Sequence, residues 1–139
     1  MSDITTINIP QYDAQKMPKS LTPATIAFEL KSMQPMIDIL SNSCPYRDCA
    51  MRLKMTNFAI NEIVGIANGL GGELQEIPLD KPEVKKLDDT EAALLLLGLN
   101  VQWLVLKCDG IAYPTVMGRL LLILTHLARI ETTIRCKAE

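Results

Sequence analysis

Four cysteines and one histidine are the residues whose types could bind a metal or react in the 139-residue chain. Cys44 and Cys49 stand five apart in CPYRDC, whereas zinc sites open with a gap of about two to four residues and close with a second compact pair. Cys108 and Cys136 are isolated, so neither a metal nor a cofactor is expected and the thiols read as packing or surface groups. Cys44 keeps some interest, because a thiol near a helix N-terminus and close to Arg47 ionises and oxidises more readily if the fold exposes it.

His126 lies with Arg119, Arg129 and Thr133 on the less apolar line of the last helical segment. Its functional reading is a contact with an anion or an acidic partner, and its plainer reading is a solvated helix face. A catalytic histidine needs a nucleophile or carboxylate to orient it, and none stands at motif spacing. Asp88, Asp89 and Glu91 resemble a metal trio but sit directly before an apolar run, where a helix cap explains them. Di-iron Glu-x-x-His pairs, a phosphate loop, a dinucleotide fingerprint and an EF-hand are all missing. The sequence therefore offers no catalytic constellation.

A different pattern stands out at Met51, Met55 and Phe58. These residues recur at helical spacing yet cannot share a face with Leu53 and Ile60, so they form either a second core layer or an exposed strip. Methionine adapts to irregular partners and is common on surfaces that bind other proteins. Beside the strip runs a polar line of Arg47, Lys54, Asn57, Asn61 and Asn68. Asparagine is a poor helix former, so something other than helix formation placed it there. Apolar centre and hydrogen-bonding edge together match the anatomy of a protein interface.

The elements that must position these residues follow from apolar spacing. Residues 1–21 form an arm containing Pro10 and Pro18, in which Ile4, Ile7 and Ile9 could make a short edge strand. Thr22 caps and Pro23 opens a first helix, expected over 23–42, along which Ile26, Leu30, Met33, Ile37 and Leu40 hold one stripe through Pro35. A second helix begins near Pro45 and carries Cys49, Leu53, Thr56, Ile60, Ile63 and Ala67 until Gly69, Gly71 and Gly72 stop it. A long connection, 69–88, follows, with a single helical turn expected after Pro82 and strand potential at Leu74 to Leu79 that could pair with the arm.

From Ala92 to Leu106 the chain is apolar almost all round, which predicts the most buried helix of the domain. Asn100 is a candidate buried amide within it and Trp103 a candidate anchor. The last helix opens at Pro114 and repeats Val116, Leu120, Ile123, Leu127, Ile130 and Ile134, with a second strip of Met117, Leu121, Leu124 and Ala128 alongside. One two-helix contact cannot cover so wide an apolar face. The expected fold is an all-α antiparallel four-helix bundle, with an arm over 1–21 and the bundle over 22–139.

Composition narrows the function. The chain is 48% hydrophobic and 22% charged, with a formal net charge of -2, so it lacks the basic surplus of a surface built for phosphates. Its first residues lack a basic patch followed by an apolar run, and Asn100, Gln102, Arg119, His126 and Arg129 interrupt the two greasiest stretches. A cytoplasmic protein with reduced thiols, off the membrane, is expected. The leading expectation is a non-enzymatic protein-protein interaction module of the inhibitor or regulator type, acting on a protein partner as a homodimer. The alternatives are a small enzyme or ligand carrier with a pocket near His126 and Arg129, and a weak nucleic-acid binder using Arg119, Arg129, Arg135 and Lys137.

Overall fold

The computed structural model describes residues 7–9, 11–79, 85–87 and 90–138, with side chains over 11–79 and 90–136. Four helices dominate: α1 (Pro23–Ser43), α2 (Arg47–Leu70), α3 (Thr90–Lys107) and α4 (Pro114–Ala138). Two three-residue strands, β1 (Ile7–Ile9) and β2 (Lys85–Leu87), pair antiparallel with Ile7 opposite Leu87. The helical bundle is therefore the fold, as the spacing predicts.

Helix α1 begins where its cap chemistry places it. Thr22 is extended, its hydroxyl accepts from the Thr25 amide at 3.2 Å, and Pro23 fills the first helical position. Pro35 stays inside the helix, and Ile26, Leu30, Met33, Ile37 and Leu40 are all buried. Helix α2 ends at Gly71, whose φ of 71° puts it in the left-handed region, a conformation that glycine adopts without strain. The Gly71 amide donates to the Ala67 carbonyl at 3.1 Å.

Pairwise contacts fix the helix directions. Gln34 reaches Asn61 while Asp38 reaches Asn57, so α1 and α2 run in opposite senses. Arg52 meets His126 while Glu62 meets Arg119, which opposes α2 and α4. Glu91 at the start of α3 meets Arg135 near the end of α4, and α3 packs chiefly on α4.

The arm is more than a terminal extension. Tyr12, Met17 and Leu21 are buried members of the core. The Leu21 amide donates to the Lys107 carbonyl at 2.8 Å, so the arm helps to close the bundle between α1 and the end of α3. Further along, the Gln75 side chain accepts from the Thr22 amide and donates to the Ser20 carbonyl. Its own amide donates to the Thr25 hydroxyl at 2.9 Å. One glutamine thereby ties the connection to the mouth of α1.

Three expectations need correction. The connection after Gly69 contains a strand at Lys85–Leu87 where a helical turn after Pro82 is expected; its register partner is β1, far away in sequence. Leu74 to Leu79 contributes only one isolated bridge to the arm, Tyr12 with Leu79. Asp88 and Asp89 fall outside the described residues. Helix α3, expected as the most buried helix, buries six of its eighteen residues, a smaller share than the nine of twenty-one in α1. It packs chiefly on α4, with lesser contact to α1 and the two strands, and among the described residues nothing covers Leu95, Leu99 and Leu106.

Candidate functional site

Met51, Met55 and Phe58 occupy steps of four and three on α2 and share one side of the helix. They are 53%, 49% and 67% exposed, so the strip is surface and no second core layer covers it among the described residues. The buried stripe of α2 runs elsewhere, through Cys49, Leu53, Thr56, Ile60 and Ile63. Arg47 and Lys54 are exposed beside the strip. Leu122, 39% exposed, shares a line of α4 with Arg119 and His126, two residues that make polar contacts with α2. Helix geometry therefore carries the apolar surface from α2 onto the α2/α4 seam.

The neighbouring asparagines have work within the fold. Asn57 donates from Nδ2 to Asp38 Oδ1, and Gln34 Nε2 donates to Asn61 Oδ1 at 2.8 Å. Both bonds cross from α2 to α1. The poor helix formers that the sequence left unexplained thus clasp a helix pair and set its register. Asn68 is exposed and lines a shallow groove with Ala24, Phe28, Val64 and Leu74.

His126 departs from its expected place. It is 6% exposed rather than solvated, and its Nδ1 lies 3.2 Å from Arg52 Nη1. Arginine can only donate, so Nδ1 carries the lone pair and the ring is neutral with its proton on Nε2. Burial, then the positive charges of Arg52 and Arg129, hold its pKa below the usual histidine value. A neutral, buried ring that already accepts a bond is poorly suited to capture an anion. Arg119 is likewise engaged, with Glu62 Oε2 at 3.1 Å, while Arg129 is exposed. The three residues named together as an anion contact therefore divide between an interhelix tie and open surface.

The remaining reactive groups are dispersed. Cys44 is half-buried and donates from Sγ to the Tyr46 carbonyl, Cys49 and Cys108 are buried, and Cys136 is exposed near the end of α4. Burial, then the Asp109 charge, pushes the Cys108 thiol up. No group of three or more metal-ligating side chains occurs among the described residues. Asn100 is 1% exposed, as its place in the apolar run predicts, and Trp103 is half-buried.

The residues not singled out individually lie on α3. Leu95, Leu99 and Leu106 are 43%, 42% and 63% exposed, and Leu121 on α4 is also exposed. Gly98 on α3 and Ala128 on α4 help to line a groove of about 420 Å³ between the two helices. A signal for this face was present in the second apolar strip of α4, which contains Leu121, Leu124 and Ala128. A third groove, of about 450 Å³, lies between the arm and α3, lined by Tyr12, Asp13, Asn100 and Trp103 among others. Comparison with known proteins finds no family model, curated protein or solved structure that matches the chain.

Proposed function

We propose that this is a non-enzymatic protein-protein interaction module, an inhibitor or regulator that acts by covering a partner's surface with α2. The observation that carries this reading is the exposure of Met51, Met55 and Phe58 in one continuous strip. Soluble proteins scatter single apolar side chains over their surface, whereas contiguous patches mark sites that something covers. Two flexible methionines and an aromatic ring supply the anchors such sites use, and exposed Arg47 and Lys54 supply a basic rim. The matching partner chemistry is an apolar helix or hydrophobic groove with an acidic margin.

The alternative of a carrier or enzyme with a pocket at His126 and Arg129 has less support. Neither residue lines any of the three grooves described above, and His126 is committed to Arg52. Nucleic-acid binding has less support still, since Arg119 and Arg135 are both paired with glutamates.

The test compares wild type with Met55→Asp and Phe58→Asp for co-purification of a specific protein from the cells that make this chain. Loss of that protein from both variants, with helical circular dichroism unchanged, supports the reading. Retention by folded variants overturns it.

A further inference from the structure

The exposed apolar residues of α3 and α4 form a second surface, separate from the strip on α2. Leu95, Leu99 and Leu106 stand along its α3 side and Leu121 along its α4 side, all between 42% and 63% exposed. Between them the α3/α4 groove opens at Gly98, where a Cβ would meet nothing within 4 Å. We propose that this face binds a second copy of the chain, with α3 antiparallel to its counterpart across a two-fold axis. The proposal rests on the interaction-module reading and identifies one of its partners.

Three features of the face suit that occupant. The first is spacing. Leu95, Leu99, Gln102 and Leu106 follow steps of four, three and four, a sequence of steps that reads alike in both directions. A two-fold therefore sets Leu95 of one copy against Leu106 of the other and Leu99 against Gln102, as an isologous interface requires. Leucine knobs flank a hole left by Gly98 and Ala128, the relief that lets helices interdigitate.

The second is charge. The end of the face at the start of α3 carries Glu91 and Glu131, with Arg135 bonded to both, and therefore a net negative balance. Beyond that end the face is uncharged: Leu95, Leu99, Gln102, Leu106 and Leu121 carry no ionisable group, and Lys107 stands about 100° round the helix from Leu106. An antiparallel pairing keeps the two acidic ends apart, whereas a parallel one would set them against each other.

The third is area. Eighteen residues make α3 about 27 Å long, and two adjacent helices present a width of about 20 Å. The flat footprint is about 540 Å² per copy and about 1,100 Å² for the pair, close to the ~1,000 Å² that separates specific interfaces from incidental ones. A reversible dimer of modest affinity follows.

Light scattering after size-exclusion chromatography, from low to high micromolar protein, tests this. Wild type is expected to rise from 15.4 kDa toward twice that mass. Gly98→Lys fills the hole from a position that is open in the single subunit, and it is expected to stay at 15.4 kDa and to melt no lower than the wild-type monomer. Leu99→Glu should behave likewise, and Phe58→Asp should dimerise as wild type does. Wild type that remains monomeric throughout, or Gly98→Lys that still dimerises, overturns the proposal. So does a monomer that sediments with phosphatidylcholine vesicles, because α3 has the length and mean hydropathy, 1.2, of a membrane span and the face would then meet lipid. Loss of the dimer in Phe58→Asp alone would relocate it to α2, sinking this inference but leaving the interaction reading. Conversely, an intact dimer whose Phe58→Asp variant keeps its other partner sinks the α2 reading alone.

Discussion

Phe58→Asp probes whether the α2 strip belongs to the surface or to the core. Full burial of a phenylalanine side chain contributes up to about 3 kcal/mol. Phe58 is 67% exposed, so only about a third of that contribution, about 1 kcal/mol, is at stake, and aspartate's lower helix propensity adds a few tenths of a kcal/mol. Unfolding entropy for a chain of 139 residues is about 290 cal/mol/K, which makes 1 kcal/mol equivalent to about 3.4 °C in Tm. The expected loss is therefore about 3 to 5 °C. Ile60→Ala is the internal comparison, because Ile60 is fully buried two residues away and its truncation costs about 2 to 5 kcal/mol, or about 7 to 17 °C. Thermal unfolding followed by far-ultraviolet circular dichroism measures both. If Phe58→Asp lowers Tm as much as Ile60→Ala does, Phe58 is core and the surface reading of the strip is refuted.

Three further outcomes test other parts of the structure. His126 has a folded pKa below its unfolded value of about 6.5, so the unfolded chain takes up a proton that the folded one refuses. Wild-type stability should be fully present above about pH 6.5 and decline as pH falls from there toward the folded pKa; urea titrations at several pH values should show His126→Gln without this component. Gln75→Ala removes two bonds, from the Thr22 amide and to the Ser20 carbonyl, at about 1 kcal/mol each. Hydrogen exchange should find the Thr22 amide deprotected while the middle of α2 is unchanged. Gly65 lies within α2, where a Cβ meets nothing within 4 Å, so Gly65→Ala should raise stability by about 0.5 to 1 kcal/mol in the same melting assay.

What the sequence made legible was periodic and local. Ile26 to Leu40 on α1 and Val116 to Ile130 on α4 bury one stripe each, and a one-sided stripe has a spacing that can be read directly. Thr22 with Pro23, and Gly71, mark helix ends through interactions no longer than a helical turn. Legibility failed where residue type hid exposure, or where the partner lay far along the chain. The least apolar line of α3, Glu91, Gly98 and Gln102, does stand apart from buried Leu94, Leu97, Val101 and Leu104, but Leu95 and Leu99 beside that line are leucines like those of the core, so their exposure does not show in residue type. His126 has charged neighbours in sequence and looks solvated, yet Arg52, 74 residues away, covers it. The asparagines of α2 acquire their purpose only when Gln34 and Asp38 on α1 come into view.

The polar ties of the bundle bear on why the exposed strips exist at all. Gln34, Asp38, Asn57 and Asn61 clasp α1 to α2, Arg52 with His126 and Glu62 with Arg119 tie α2 to α4, and Glu91 with Arg135 joins α3 to α4. Register along these seams is therefore specified at their polar margins, while the fully buried leucines and isoleucines between the helices supply the hydrophobic stabilisation. Met51, Met55, Phe58, Leu95, Leu99 and Leu106 contribute little to either task, being about half exposed. Left uncovered, such residues promote non-specific association, and polar side chains at these positions would still support the fold at a cost of about 1 kcal/mol each. Two such strips, on separate parts of the bundle and each at helical spacing, are the two faces that the proposed partner and the proposed second copy would cover.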